Sequence, residues 1–275
     1  MTDNPEIGKF VETNGYKTNV HDEGQGPALL LLHGSGAGVT GWANWRGLIP
    51  EMSQKYRVIA PDLVGFGFTE TPDDFEFKFM DSWVDQILAL LDALGVEKTH
   101  VLGNSFGGSL AMWLAVRRPD LFDRLVLMGP GGWPAKVNSN LEELWSYKPS
   151  VENMKRLLDI MAFDRSLVTD ELAELRYRAT MRPGAQEVFE RVFPAPRQRW
   201  LDAQVVAPAD LMSIKQRTLI IHGRDDRVVD PMISWNLHQH IQDSELHYFG
   251  NCGHWTMIEH AARFKELVSN FYAAD

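Results

Sequence analysis

The 275-residue sequence contains a single cysteine, Cys252. An intrachain disulfide is therefore excluded, and the count fits a reducing compartment, with cytoplasm as the default expectation. No apolar run approaches membrane-spanning length. The opening MTDNPEIGKF is polar and acidic and lacks the basic flank and apolar core of a secretory signal. No Lys/Arg-rich run occurs either: 27 scattered basic residues stand against 37 acidic ones, for a net charge of −10. That balance argues against nucleic-acid or anionic-membrane partners and requires any anionic ligand to be met by local cations. Fixed-period repeats, low-complexity tracts and Gly/Ser linkers are also absent. What remains is a chain with 44% hydrophobic residues, long enough for one large domain or for a core carrying an insertion.

Short apolar runs bounded by turn residues recur: ALLLL at 28–32, RVIA at 57–60, THVLG at 99–103, RLVLM at 124–128 and TLIIHG at 218–223. They read as buried parallel strands. Between them lie helical patterns such as DSWVDQILALLDALG, where Val84, Ile87, Leu88 and Leu91 share a face and Gly95 supplies a stop. The stretch ARFKELVSNFY, with Phe264, Leu267, Val268 and Phe271 at helical spacing, covers one face of the sheet. The alternation predicts an α/β fold with a mostly parallel, doubly wound sheet. Residues 131–212 interrupt the rhythm with helical patterns and no convincing strand. A structureless loop of that length is improbable, so the reading is a core of 1–130 and 213–275 with a helical cap at 131–212.

The stretch GNSFGG at 103–108 sits between the strand THVL and the helix-like LAMWLAVRR. It fits G-x-S-x-G, a sharp strand-to-helix turn that presents a serine hydroxyl, here Ser105, at the edge of a parallel sheet. The plain alternative is a glycine-rich loop that lets a helix pack closely. A serine nucleophile needs a base oriented by a carboxylate, and in this turn the chain order is Ser, then Asp or Glu, then His. Asp225-Asp226 follows TLIIHG, and His254 follows LHYFGNCG. Asp226 is the preferred carboxylate, with Asp225 left as a loop residue. His33, His100, His222, His238, His240, His247 and His260 read as surface or core histidines, and no H-E-x-x-H zinc pattern occurs. Main-chain N–H groups of Ser35, in HGSGAG at 33–38, and of Phe106, at the head of the elbow helix, are the expected oxyanion donors. HGSGAG lacks the Lys-Ser/Thr of a phosphate-binding P-loop and the spacing of a dinucleotide fingerprint.

With HGSGAGVTGWANW, PDLVGFGFTE, GNSFGGSLA, LMGPGG, HGRDDRVV and GNCGHW in hand, the chain closely resembles the meta-cleavage product hydrolases of the α/β-hydrolase superfamily over nearly its whole length. Segments DRSLVTDELAELRYRA and FPAPRQRW resemble the branch that acts on ring-fission products of monocyclic aromatics, such as 2-hydroxymuconic semialdehyde. The resemblance implies an α/β-hydrolase fold, hydrolysis of a carbon–carbon bond in 2-hydroxy-6-oxo-2,4-dienoates, no cofactor or metal, and a homo-oligomer. It implies Ser105 as nucleophile, His254 as base, Asp226 as its orienting carboxylate, and Ser35 and Phe106 as oxyanion donors. It also implies Arg176 as a grip on the anionic dienoate, with Asn44, Asn104 and Trp255 in the pocket. An Arg fork suits a carboxylate beside a 2-oxo group, although Arg176 or Arg178 pairing with Glu171 or Glu174 along an exposed helix is the plain alternative. Trp255 has an equally good packing role against the last helix. One departure is Ala37 where many members have Pro, which leaves the donor loop less stiff.

The implied reaction ketonises the dienol with protonation at C5 and then cleaves C5–C6, giving 2-hydroxypenta-2,4-dienoate and a small carboxylic acid. Rival readings are a carboxylesterase with the same triad and a non-catalytic ligand sensor. Trp133, Leu141, Trp145, Met154 and Ile160 are candidates for shaping the C6 end of the pocket, although in a helical insertion such residues are more often core than pocket.

Overall fold

In the computed structural model, residues 4–274 are described. Eight strands form one sheet in the order β1-β2-β4-β3-β5-β6-β7-β8. They are β1 (Lys9–Thr13), β2 (Tyr16–Glu23), β3 (Ala28–Leu32), β4 (Arg57–Pro61), β5 (Thr99–Asn104), β6 (Phe122–Met128), β7 (Arg217–Gly223) and β8 (Ser244–Phe249). From β4 to β8 every neighbouring pair is parallel, while β2 pairs antiparallel with both β1 and β4. The five apolar runs of the sequence are the five central parallel strands. The amino-terminal hairpin was not anticipated, yet its signal is present: Asn14 and Gly15, both at positive φ, form a two-residue turn between Thr13 and Tyr16. Its strands carry too few apolar residues to stand out by hydrophobicity.

Alternate residues of the central strands enter two cores, which is why those strands are apolar on both faces. Leu30, Leu32 and Val101 pack under α3 (Met80–Ala93), α4 (Phe106–Arg117) and α11 (Pro231–His240). Leu29, Leu31 and Leu102 pack against α1 (Gly41–Trp45), α2 (Ile49–Met52), α12 (Thr256–Glu259) and α13 (Ala261–Ala273), through Trp45, Ile49 and Phe264 among others. Val84, Ile87 and Leu91 are buried on α3, and Phe264, Val268 and Phe271 on α13, as their spacing predicts. The sheet is thus doubly wound.

Between β6 and β7 the chain is helical: α5 (Ser139–Trp145), α6 (Val151–Met161), a 3₁₀ turn at Arg165–Leu167, α7 (Asp170–Thr180), α8 (Ala185–Val192), α9 (Gln198–Ala203) and α10 (Pro208–Ser213). Asn138, Ser150 and Thr169 cap α5, α6 and α7, their side-chain oxygens accepting N–H bonds from Leu141, Asn153 and Leu172 at 2.8, 3.0 and 3.1 Å. The inner faces of α5 and α6, with Trp145, Met154 and Leu157, are continuous with the core on the α4 side of the sheet. No helix among the described residues is long and apolar enough to cross a membrane.

Candidate active site

Ser105 stands at the corner between β5 and α4 with φ 56° and ψ −115°, a conformation that non-glycine residues rarely adopt. The corner closes because its flanks have no side chains. A Cβ on Gly103 would lie 2.1 Å from the Gly107 carbonyl oxygen, and one on Gly107 would lie 2.4 Å from that of Leu32. The Ser105 N–H donates to Met128 O at 2.8 Å, and its own carbonyl accepts from Gly108 N at 2.9 Å, so both ends of the turn are held. GNSFGG thus has the strained strand-to-helix geometry of an elbow, with Ser105 at its corner, as well as the close packing that its glycines permit.

His254, 6% exposed, follows β8 and α12 begins just beyond it. Its Nδ1 lies 2.7 Å from Asp226 Oδ2, and its main-chain N–H donates to Met161 O at 2.8 Å, at the end of α6. Asp226 lies just past β7. Its Oδ1 accepts from the N–H groups of Val228 and Val229 at 2.7 and 3.0 Å. Burial by itself would raise the Asp226 pKa, but the electrostatic pull and hydrogen bonds of the His254 and His222 rings outweigh it and hold the carboxyl well below the usual range. Asp225 is elsewhere: its carboxylate lies 3.5 Å from Arg224 and accepts from Cys252 N at 3.4 Å. Gly129 fits beside the pair, where a Cβ would approach His254 Nδ1 at 3.4 Å. Ser105 Oγ makes no hydrogen bond among the described residues, though it and His254 line the same cavity. Such contacts commonly tighten only with substrate in place.

The loop after β3 is fixed by buried His33. Its Nδ1 lies 2.6 Å from Gly34 O, and its Nε2 lies 2.9 Å from the Leu63 N–H. The ring must therefore carry its proton on Nδ1 and accept at Nε2, and burial pushes its pKa down to about 4. Next along, the Ser35 side chain accepts a 3.0 Å bond from the Trp145 indole in α5, which is stacked on Phe193 at 4.4 Å. The Ser35 N–H has no acceptor among the described residues. The Phe106 N–H is the first of α4 and has no intrahelical partner by construction. Both residues, with Ser105, line a small chamber.

The larger cavity, about 430 Å³, brings together Ser105, His254, Asn44, Asn104, Arg176 and Trp255. The Asn44 amide nitrogen is buried without a partner among the described residues, and its Oδ1 faces Gly34 N at a long 3.5 Å. Asn104 donates to Met128 O at 3.4 Å, leaving its oxygen against Gly34. Arg176 does not follow the plain alternative. Arg178 takes Glu174 at 2.9 Å, whereas the Arg176 guanidinium donates to Gly38 O at 2.7 Å and has no carboxylate in ion-pair range among the described residues. Burial lowers its pKa, and the charge of Glu6 partly offsets that effect. Arg46 and Glu6 share this end of the cavity, while Leu144, Met154, Leu157 and Met161 make the rest apolar.

On the far side of Ser105 the small chamber, about 50 Å³, is lined by Trp145, Leu141, Leu201, Val228 and Gly131 among others. Of the candidates for the C6 end, Trp133 lies against the His240 ring at 4.6 Å in a tilted arrangement, and Ile160 lines an outer groove. Neither touches the two chambers at Ser105. Sequence reasoning also missed Glu259. Its carboxylate accepts from Gly253 N at 2.8 Å and from Phe163 N and Asp164 N at 2.7 and 2.8 Å, tying the His254 loop to the segment after α6.

Residues 27–261 match a family profile described as the alpha/beta hydrolase fold. A 2-hydroxymuconate semialdehyde hydrolase of Pseudomonas sp. strain CF600 is 51% identical over 269 residues, covering 98% of this chain and 95% of that protein. A 2-hydroxy-6-oxo-2,4-heptadienoate hydrolase of Pseudomonas putida is 51% identical over 272 residues, covering 99% and 98%. A crystallised meta-cleavage product hydrolase from Pseudomonas fluorescens IP01, a serine-to-alanine mutant complexed with acetates, superposes with a TM-score of 0.96 at 52% identity, covering 98% of each chain. The chain belongs to the alpha/beta hydrolase fold family and, within it, to the meta-cleavage product hydrolases.

Proposed function

We propose that this protein hydrolyses the C5–C6 bond of 2-hydroxy-6-oxo-2,4-dienoates, the ring-fission products of catechols, with hydrogen or a small alkyl group on C6. One observation carries the reading: a buried arginine with no carboxylate in ion-pair range among the described residues lines the same cavity as an elbow serine and a carboxylate-held histidine. A triad alone would serve any small ester. The added cation gives an anionic end to the substrate site in a chain whose net charge is −10.

In this reading Arg176 and the unpartnered Asn44 amide take the carboxylate and 2-oxygen, with Asn104 and Trp255 bordering the dienoate. His254, oriented by Asp226, moves protons. Ketonisation places a proton on C5 and makes C3–C4 an enone arm, so that the electron pair of the breaking C5–C6 bond can flow to O2. Ser105, activated by His254, directs attack at C6, and the resulting oxyanion is met by the Ser35 and Phe106 N–H groups, each donor of this kind being worth about 10²- to 10³-fold in rate. Water supplies the hydroxyl of the released acid, and the other fragment leaves as 2-hydroxypenta-2,4-dienoate. No cofactor is required by this electron flow.

Residues 131–212 act as the cap, excluding water above Ser105. The small chamber takes the C6 substituent, and its volume of about 50 Å³ favours hydrogen or methyl over phenyl. The protein works on a free small molecule in the cytoplasm as a homo-oligomer, without a membrane or nucleic-acid partner; the single cysteine and acidic charge support this setting.

The test follows loss of the yellow dienolate absorbance when purified protein meets ring-cleavage products of catechol, 3-methylcatechol and 2,3-dihydroxybiphenyl. Bleaching by the wild type but not by Ser105→Ala, with formate or acetate released stoichiometrically, is the expected result. Absence of bleaching with all three, alongside turnover of simple esters, would move the esterase reading ahead.

A further inference from the structure

One histidine that reads from the sequence as an ordinary core residue touches the triad carboxylate. His222, fully buried at the end of β7, has its Nε2 3.1 Å from Asp226 Oδ2 and 3.1 Å from Val229 O. Its Nδ1 lies 2.6 Å from the Ser234 hydroxyl in α11. Two acceptors at Nε2 require a proton there, which leaves Nδ1 to accept from Ser234; the neighbours fix the tautomer.

We infer that His222 is a positioning residue that donates a second hydrogen bond to the same oxygen of Asp226 that holds His254, setting both the direction and the basicity of that carboxylate. The inference rests on the roles proposed above for Ser105, Asp226 and His254. Four donors then surround Asp226: the Val228 and Val229 N–H groups on Oδ1, and His254 and His222 on Oδ2. With every direction taken, the carboxylate cannot rotate, so the His254 ring is presented in one orientation. Because Oδ2 is shared, His222 also draws off part of the negative charge that would otherwise stabilise a protonated His254. Removing that donor should make Asp226 a stronger partner and His254 a stronger base.

Several other titratable groups stand close enough to matter. Tyr248 of β8 has its ring 6.4 Å from that of His222. Cys252 lies on the loop before His254, with its thiol pushed up to about 12 by burial and therefore neutral. Asp225 and Glu259 lie beyond it, both contacting Cys252. None of these supplies a donor to Asp226, so the second donor is His222 alone among the described residues.

The experiment compares pH profiles of kcat/KM for the wild type, His222→Phe and His222→Gln, with Ser105→Ala as the control for the chemistry itself. Loss of turnover in Ser105→Ala together with an unmoved profile in His222→Phe would leave the proposed function standing and overturn only this inference. The expected result is an acidic limb displaced to higher pH by about half to one unit in His222→Phe, a fraction of the worth of one hydrogen bond to a carboxylate, because the change reaches His254 only through Asp226. His222→Gln, whose amide nitrogen can occupy the position of Nε2, should return the limb toward the wild-type position. A purely structural role would lower the melting temperature and the amplitude of both variants without moving the limb. Should His222→Phe fail to fold, selective ¹⁵N-histidine labelling of the wild type decides: His222 must hold its proton on Nε2 across the active range, and the opposite tautomer overturns the inference.

Discussion

The guanidinium of Arg176, on α7, donates to the main-chain carbonyl of Gly38, in the loop that follows β3, at 2.7 Å. One side chain thereby joins the helical layer to the loop carrying Ser35, while using only part of its donor fork. The same side chain lines the cavity that holds Ser105 and His254.

If those free donors grip the dienoate, Arg176→Ala should lower kcat/KM for the anionic substrate by about 10- to 100-fold, the worth of a hydrogen bond to a charged group. Hydrolysis of a small neutral ester should change far less. Arg176→Lys should recover only part of the loss, since an ammonium cannot make the two-pronged contact. Equal losses on both substrates would mean that Arg176 holds the loop and nothing more.

Asp226→Asn keeps the shape of the side chain but places an amide where Oδ1 or Oδ2 accepts four N–H bonds. Either amide orientation turns a donor toward donors, so the His254 tautomer is disturbed. In serine proteases the corresponding change costs about 10⁴ in kcat, and a loss of that order is expected here in single-turnover bleaching. Asp225→Asn, by contrast, touches only Arg224 and the Cys252 N–H and should retain most of the rate. A large loss in Asp225→Asn with little in Asp226→Asn would reverse the assignment.

The five central strands and the elbow were legible because burial on both faces and a steric demand for glycine each write themselves into residue type. Order along the chain likewise pointed to Asp226 and His254. What stayed hidden depends on three-dimensional neighbours. His222 and His33 look alike in sequence, both ending apolar strands, yet one donates to Asp226 and the other to Gly34. Arg176 and Arg178 are two residues apart on α7, and only helical phase turns one to the cavity and the other to Glu174. Trp133 and Ile160, which the sequence leaves open between core and pocket, lie outside both chambers, because aromatic or aliphatic character says that a side chain is covered, not by what. The Asn14-Gly15 turn was visible, but the strands it joins carry few apolar residues to announce them.

The small chamber beside Ser105 sets the expectation for C6. Leu201 lines it from α9 and Val228 from the loop after β7. Leu201→Ala should improve kcat/KM for a phenyl ketone relative to a methyl ketone by about 10-fold or more, the usual worth of a few methylenes in a binding pocket. The measurement is the ratio of the two substrates within each variant, which cancels losses common to both. An unchanged ratio would place the C6 group in the larger, apolar cavity instead.

His33 gives a stability test that is separate from turnover. Its folded pKa is pushed down to about 4 by burial, against about 6.5 for an unperturbed histidine. Between those values the unfolded chain binds a proton that the folded chain refuses. The stabilisation from a neutral His33 is thus fully present above about pH 6.5 and is lost as pH falls toward 4, by at most about 3 kcal/mol. Asp62 runs the opposite way: burial raises its pKa to about 6, so its ionisation costs stability as pH climbs from about 4 to 6. In the wild type the two effects oppose each other and a simple melt against pH will look flat. The comparison that isolates His33 is therefore the difference in unfolding free energy between wild type and His33→Gln, since Asp62 is common to both. That difference should shrink steadily as pH is lowered from 6.5 to 4. A constant difference across the interval would mean that the ring is protonated in the folded protein, which the Leu63 N–H pointing at Nε2 forbids.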